Sequence, residues 1–232
     1  MVQGVRATFE IALSCVAGYL VGSVPLGLLV AQAAAGIDIR RYGTGNIGAA
    51  NVREHVGASA AAAVALGIFL QGLLPPLVAR LLTGSEAAVA GAAVGAVVGY
   101  GWPVFLGFKG GRAVGTATGA ATAVSPGGFI PLLASYILGA LLRQTSLGVL
   151  VGFVVYAGYV FYSTSSVPDK VASVLLLLII AVRRLERVNR DLEQGPFFPV
   201  VLNLLLFQRR PELPGIAPRG ERHNDRREPR GD

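Results

Sequence analysis

The sequence predicts an all-α fold, a polytopic membrane helix bundle of about seven transmembrane helices. Composition and the rhythm of polar breaks predict it. Of the 232 residues, 53% are hydrophobic and only 14% charged, whereas charged residues make up about a quarter of an ordinary soluble domain. Polar breaks then divide the chain into apolar runs, several close to the ~20 residues that a bilayer-spanning helix needs and others shorter. The net charge of +7 does not point to nucleic acid. Its basic residues sit in short segments between apolar runs and in the tail, as topology signals do. A single cysteine, Cys15 within an apolar run, excludes a disulfide framework and a cysteine-based metal site. With only His55 and His223, a histidine-based metal site has no support either.

The first span covers about Phe9 to Ala34. It is too long for a signal-peptide core and lacks a clear cleavage site, so it reads as a retained helix. Gly18, Gly22, Ser23, Pro25 and Gly27 predict tight packing and a bend within it. A polar loop with Arg40, Arg41 and Arg53 follows. The second span, about Ser59 to Leu82, carries Gln71 and the kink signal Pro75-Pro76; a turn at Thr83 to Glu86 leads to the third, about Ala87 to Leu106. After the break Phe108-Lys-Gly-Gly-Arg112, a fourth helix of small residues runs to Val124. Ser125-Pro-Gly-Gly128 reads as a turn, and a fifth run from Phe129 to Leu142 returns to Arg143-Gln-Thr-Ser146. The sixth span is about Leu147 to Tyr162. The seventh, about Lys170 to Val182, is short unless Lys170 snorkels. Arg183 to Arg190 is charged on several faces and reads as lying outside the hydrocarbon. Residues 1–195 are thus expected to form one membrane domain, 196–210 an apolar interfacial helix too short to span, and 211–232 a disordered charged tail.

Charge orients the bundle. Segments 36–57, 107–112, 143–146 and 183–195 fall on one side of the membrane and hold most of the cations, while the other side has Arg6, Lys170 and Arg80. The positive-inside rule puts the amino terminus outside and the carboxyl terminus in the cytoplasm.

Two of these cationic segments carry phosphate chemistry. Gly43-Thr-Gly-Asn-Ile-Gly-Ala-Ala-Asn-Val-Arg53 combines three glycines that expose backbone N–H groups with Thr44, Asn46 and Asn51 as side-chain donors and Arg40, Arg41 and Arg53 as fixed charge. The plainer reading is a connecting loop whose arginines only mark the cytoplasmic side. Phe108-Lys-Gly-Gly-Arg112 places Lys109 and Arg112 around Gly110 and Gly111 at the start of a helix, where N–H groups favour an anion. It lacks the spacing of a Walker loop. Glycines at 111, 115 and 119 also read as one face for close helix packing, which is compatible with a rigidly held amino end.

The chain resembles the bacterial integral-membrane acyl-phosphate:glycerol-3-phosphate acyltransferases to about Gly195. The resemblance rests on Gly22-Ser-Val-Pro-Leu-Gly27, Gly36-Ile-Asp-Ile-Arg40, Gly43 to Val52, Pro103 to Arg112, Val114-Gly-Thr-Ala-Thr-Gly119 and Ser125-Pro126 in matching order and spacing. It implies a seven-helix protein of the bacterial cytoplasmic (inner) membrane. Such a protein moves a fatty acyl group from acyl phosphate to the 1-hydroxyl of glycerol 3-phosphate, giving lysophosphatidic acid, with no cofactor and no metal, and is expected to act as a monomer among membrane lipid. Carried over position by position, Asn46 and Arg112 become the candidate catalytic residues. Thr44, Asn51, Arg53, Lys109, Gly110, Gly111, Thr116, Ser146 and Asn189 become the candidate substrate-binding residues. Thr44 keeps the hydroxyl of a family serine, and Arg112 keeps the charge of a family lysine while adding planar bidentate bonding to phosphate.

Elsewhere the sequence departs from the family pattern. The arginine after the second asparagine falls on Glu54, with Arg53 one residue early; a family histidine is Tyr100; an Asp and a Lys of the second helix are Ile68 and Gln71. The third motif keeps Ser146 but has Val149 at its second serine, lacks a later histidine, and matches Asn189 only after a one-residue shift. An acyl phosphate is already activated, so the demands on the protein are to align two anions and stabilise the attacked carbonyl. No histidine is well placed to take the hydroxyl proton. A substrate phosphate oxygen is therefore the expected base. Two other readings stay open: a catalytically lapsed family member that binds lipid or acts as a scaffold, and a small anion transporter built on broken, cation-ended helices. No duplicated halves support the transporter, and both anion-friendly loops fall on one face.

Overall fold

The computed structural model describes residues 2–192, with side chains through residue 186. The expected interfacial helix at 196–210 and the charged tail at 211–232 lie outside the described residues, as does the Asn189 side chain. Among the described residues the chain is helical throughout, without strands: α1 (Val2–Ser23), α2 (Leu26–Ala35), α3 (Ala49–His55), α4 (Ala58–Thr83), α5 (Glu86–Gly101), α6 (Val114–Val124), α7 (Phe129–Leu141), α8 (Thr145–Ser163) and α9 (Val167–Leu192). Among the described residues four helical segments are long and apolar enough to cross a membrane: Gln3–Ala35, Ala58–Thr83, Glu86–Leu106 and Thr145–Ser163.

The bend expected in the first span is a break at Pro25, between α1 and α2. Proline has no N–H, so the Val21 carbonyl loses its helical donor four residues on. Gln71 of α4 supplies one instead: its Nε2 donates to Val21 O at 2.9 Å and to Val24 O at 2.8 Å. A buried amide thereby satisfies the carbonyls that the break exposes, the condition for interrupting a helix at membrane depth. Pro75 and Pro76, by contrast, lie inside a continuous α4.

α5 is the hub. Its small side chains let α1, α4, α6 and α9 pack directly on it. Glycines run along both sides of the α1–α5 seam: a Cβ at Gly18 or Gly22 would collide with the carbonyls of Ala92 and Ala96, and one at Gly95 or Gly99 with those of Cys15 and Tyr19. Spaced by four, these residues bring the two backbones into contact, the small-residue packing that membrane helices use in place of a hydrophobic drive. α4 and α6 repeat the device through Gly72 and Gly119. Large apolar side chains such as Leu66, Leu81, Ile130 and Phe161 point outward, as lipid contact requires.

Two sequence expectations change here. Gly111 is not on the packing face with Gly115 and Gly119, because α6 begins only at Val114 and Gly111 lies in the preceding loop. The seventh helix does not end near Val182, because α9 continues unbroken from Val167 to Leu192 and carries Arg183 to Arg190 with it.

Candidate active site

The 43–51 loop is built by one side chain. Asn51, 3% exposed in α3, donates through Nδ2 to the carbonyls of Ile39 (3.2 Å), Tyr42 (3.1 Å) and Asn46 (3.0 Å), and its Oδ1 accepts from Thr44 N (3.2 Å). An asparagine amide is suited to this because it donates and accepts at once. Gly43 and Gly45 adopt φ of 51° and 68°, the left-handed region that glycine enters without penalty. Gly43 has a second constraint, since a Cβ there would strike the His55 ring and the Asn51 amide. His55 braces the loop from behind, with Nδ1 bonded to Asn51 O at 3.0 Å and its ring 5.9 Å from that of Tyr42. In front, Asn46 Oδ1 accepts from Gly48 N (3.2 Å) and Thr44 Oγ1 from Asn46 N (3.4 Å), so both residues are held by Asx- and ST-type turns.

The 107–113 loop is held from the other side. Gly111 N donates to Tyr100 O at 3.2 Å. Arg183 of α9, 7% exposed, donates through Nε to Gly111 O (3.0 Å) and through Nη2 to Gly110 O (2.9 Å). Its guanidinium also pairs with Glu186 and lies 5.0 Å from the Trp102 ring centre, and Trp102 Nε1 donates to Glu186 Oε1 at 3.0 Å. The loop is conformationally costly: Phe108 and Ala113 have φ of 63° and 59°, a region that disfavours a Cβ by about 1–2 kcal/mol per residue. Such backbone persists where its surroundings over-determine it, and here the Arg183 clamp does so.

These two loops meet. Thr44, Asn46, Asn51 and Glu54 on one side and Tyr100, Arg112 and Ala113 on the other line a cavity of about 450 Å³ that is open to the surface. Arg112 is half-buried in its wall, where desolvation lowers the proton affinity of its guanidinium below the ordinary arginine value, an effect that Tyr100 partly opposes. Arginine still keeps its charge, and a partly desolvated cation in a concave site attracts an anion. A second cation lies beyond it: Arg184 of α9 repels Arg112 and donates through Nη2 to Ser146 O at 2.7 Å and to the Ser146 hydroxyl.

Of the residues selected from sequence, the fold therefore gathers Thr44, Asn46, Asn51 and Arg112. The others stand off the cavity lining, apart from Asn189, whose side chain lies outside the described residues. Arg53 is off the cavity: the residues of α3 that border it are Ala49, Ala50, Asn51 and the exposed Glu54, and Arg53, also exposed, falls 100° out of phase with Glu54. Lys109 is exposed, and Gly110 and Gly111 present their carbonyls to Arg183 instead of lining the cavity. Thr116 is fully buried on the α4 side of α6, and Ser146 is buried and bonded to Arg184. Arg40 does not serve the site either. Its guanidinium bonds to Asp38 at 2.9 and 2.7 Å and holds that carboxyl down at about 2, with Arg41 Nε adding a contact at 3.8 Å.

Sequence reasoning passed over Glu54, Ile68 and Tyr100 as site residues, treating them only as departures from a family pattern; all three line the cavity. It also took Arg183 and Arg184 only as topology markers. Their signal was available in the spacing of α9, where Arg183 falls on the same face as Ser173, Leu176 and Ile180, all buried.

Comparison with known proteins places this architecture. The family model for glycerol-3-phosphate acyltransferase matches residues 12–194. A glycerol-3-phosphate acyltransferase of Geobacter sulfurreducens is 39% identical over 187 residues, covering 80% of this chain and 95% of that protein. One of Rubrobacter xylanophilus is 45% identical over 139 residues, 60% of this chain and 69% of the relative. The crystal structure of an integral membrane glycerol 3-phosphate acyltransferase in its glycerol 3-phosphate form superposes with a TM-score of 0.69 at 31% identity, covering 79% of this chain and 92% of that one. The chain belongs to the glycerol-3-phosphate acyltransferase family.

Proposed function

We propose that the cavity between the 43–51 and 107–113 loops holds acyl phosphate and glycerol 3-phosphate together. There the acyl group passes to the 1-hydroxyl, giving lysophosphatidic acid for phospholipid synthesis and releasing phosphate. As a family member the chain is an acyltransferase acting on glycerol 3-phosphate. The observation that carries the finer reading is the convergence of Thr44, Asn46 and Arg112, from two distant glycine-bearing segments, on one cavity.

Each part then has work to do. Arg112 neutralises phosphate charge and orients it through its planar fork. Asn46 and Thr44, held by their own turns, present polar groups without first having to be ordered, which lowers the entropic part of the barrier. The same donors face the oxygen that becomes negative as the carbonyl is attacked, where pre-positioned hydrogen bonds act most strongly. Asn51 and Arg183 build the two walls. Because both loops share one cavity they share one face of the membrane. We read that face as cytoplasmic, in a bacterial inner membrane, with α1 together with α2, α4, α5, α6, α7, α8 and α9 as seven crossings and the reaction complete within a monomer.

Purified protein supplied with acyl phosphate and glycerol 3-phosphate should form lysophosphatidic acid and inorganic phosphate one for one, with no added metal or acyl-CoA. Activity should be lost in Arg112→Ala and Asn46→Ala. An inactive wild type, or full activity in both variants, would sink the reading. Uptake of glycerol 3-phosphate into liposomes without product would favour a transporter.

A further inference from the structure

We infer that the Tyr100 hydroxyl binds substrate, donating a hydrogen bond to the phosphate that Arg112 holds in the cavity. This rests on the acyltransferase reading and adds a contact from α5 that neither glycine-bearing loop supplies. Tyr100 lines the cavity and is 3% exposed. A buried phenol needs a partner for its O–H. Tyr156, the other buried tyrosine, gives its own to Ala121 O at 2.8 Å, and the half-buried Tyr19 and Tyr136 are bonded to Trp102 O and the Thr118 hydroxyl. Among the described residues no partner engages the Tyr100 hydroxyl.

That oxygen is not sealed in. Among the described residues, the enclosed side-chain atoms that lack a partner are Gln71 Oε1, Thr116 Oγ1 and Arg184 Nη1, and the phenol oxygen is not one of them. It keeps a small accessible surface, and the space Tyr100 borders is the cavity. The far end of the ring rests on Gly111, where a Cβ would come within 2.9 Å of the hydroxyl. Gly111 does not have a positive φ, so the phenol and not the backbone angle requires glycine there. Arg112 is the next residue, and its charge acts on the phenol. The hydroxyl thus opens beside the cation of the cavity.

Electrostatics choose the acceptor. A phenol holds its proton at neutral pH and so presents a donor, and a guanidinium beside it favours an anion. The groups of the two substrates that carry full negative charge in the ground state are their phosphates. A phosphate oxygen set against Arg112 would take the phenol O–H as a charge-assisted bond, stronger than a neutral one, and would satisfy a donor that the fold leaves open. Both acyl phosphate and glycerol 3-phosphate offer such an oxygen, and kinetics tell them apart.

The test uses the full chain with Tyr100→Phe, which keeps the ring on Gly111 and removes only the hydroxyl. KM for the substrate whose phosphate is held should rise about tenfold, with kcat within about threefold of wild type. Titrating glycerol 3-phosphate at saturating acyl phosphate, and the reverse, shows which substrate it is. The inorganic phosphate concentration that halves activity should rise in parallel. Because the hydroxyl has no partner in the protein, Tyr100→Phe should unfold at or above the wild-type temperature. Both KM values and phosphate inhibition within about twofold of wild type overturn the inference, and so does a loss confined to kcat, which would put the hydroxyl on the reacting carbonyl. A clearly less stable Tyr100→Phe overturns it as well, by showing that the hydroxyl bonds within the protein. An inactive wild type would instead remove the acyltransferase reading on which it stands.

Discussion

Asn51→Asp changes almost nothing in shape and reverses the chemistry of the loop that carries Thr44 and Asn46. Asn51 Nδ2 sits 3.0 to 3.2 Å from three backbone carbonyls, so an ionised aspartate would set a negative oxygen against three acceptors with no hydrogen between them. Each buried group left unsatisfied costs about 1–3 kcal/mol, so losing two or three contacts, discounted for relaxation, destabilises the loop by about 3–5 kcal/mol. The Thr44 N to Asn51 Oδ1 bond survives, which keeps the loss below that of full truncation. The carboxyl is itself pushed up, because its protonated form can donate to one carbonyl and its charged form cannot. A folded-state value above the unfolded one makes Asn51→Asp relatively more stable at low pH and least stable above both values. Thermal unfolding of wild type and variant at pH 7.5 and pH 5 measures this, with activity followed in parallel. The variant should unfold early and be nearly inactive at the higher pH, with part of the unfolding deficit recovered at the lower. An Asn51→Asp protein as stable as wild type at pH 7.5 would refute the account of Asn51 as the residue that organises the loop.

Other outcomes follow from the same contacts. Arg183→Leu removes two bonds to the Gly110 and Gly111 carbonyls and the half-exposed pairing with Glu186, a loss of roughly 2–4 kcal/mol; unfolding measurements should show it, and Arg183→Lys should recover only part. Gly99→Leu puts a side chain where the Tyr19 carbonyl lies and should separate α1 from α5, lowering thermal stability by more than the ~1–3 kcal/mol typical of overpacking, whereas Gly158→Leu, which meets nothing, should be silent. The Asp38–Arg40 pair is partly exposed and contributes modestly. Because Asp38 titrates below the ordinary carboxylate range, at about 2, its stabilisation is present above about pH 4 and lost as pH falls through 2, so the gap between wild type and Asp38→Asn should close over that window.

The sequence displayed what depends on composition and on local backbone chemistry. Long apolar runs announced the bundle, Pro25 announced the break in the first span, and two polar, glycine-bearing cationic segments announced the walls of the cavity. What it hid depends on phase and on long-range partners. α3 is seven residues long, too short for a hydrophobic period to declare itself, and without its phase the choice between Arg53 and Glu54 could not be made. Asn51 looked like a ligand because its amide is polar and stands in a polar loop; only the folded chain shows that amide turned onto its own backbone. Arg183 and Arg184 read as markers of the membrane surface, since nothing local to α9 says that the carbonyls of Gly110 and Gly111 or the hydroxyl of Ser146 will be waiting for them. Lys109, equal to Arg112 in charge and three residues away, is exposed while Arg112 turns into the cavity.

The central claim is that the two loops act on the same pair of substrates, and a double-mutant cycle on kcat/KM with Asn46→Ala and Arg112→Ala tests it directly. If both groups grip one transition state, removing either spoils the alignment that the other exploits. Each single variant should lose about 10²–10³-fold and the double variant should fall short of the product of those losses by at least about tenfold, a coupling of roughly 1.4 kcal/mol. Losses that simply multiply, with no coupling, would mean that Asn46 and Arg112 work independently and would contradict a shared site.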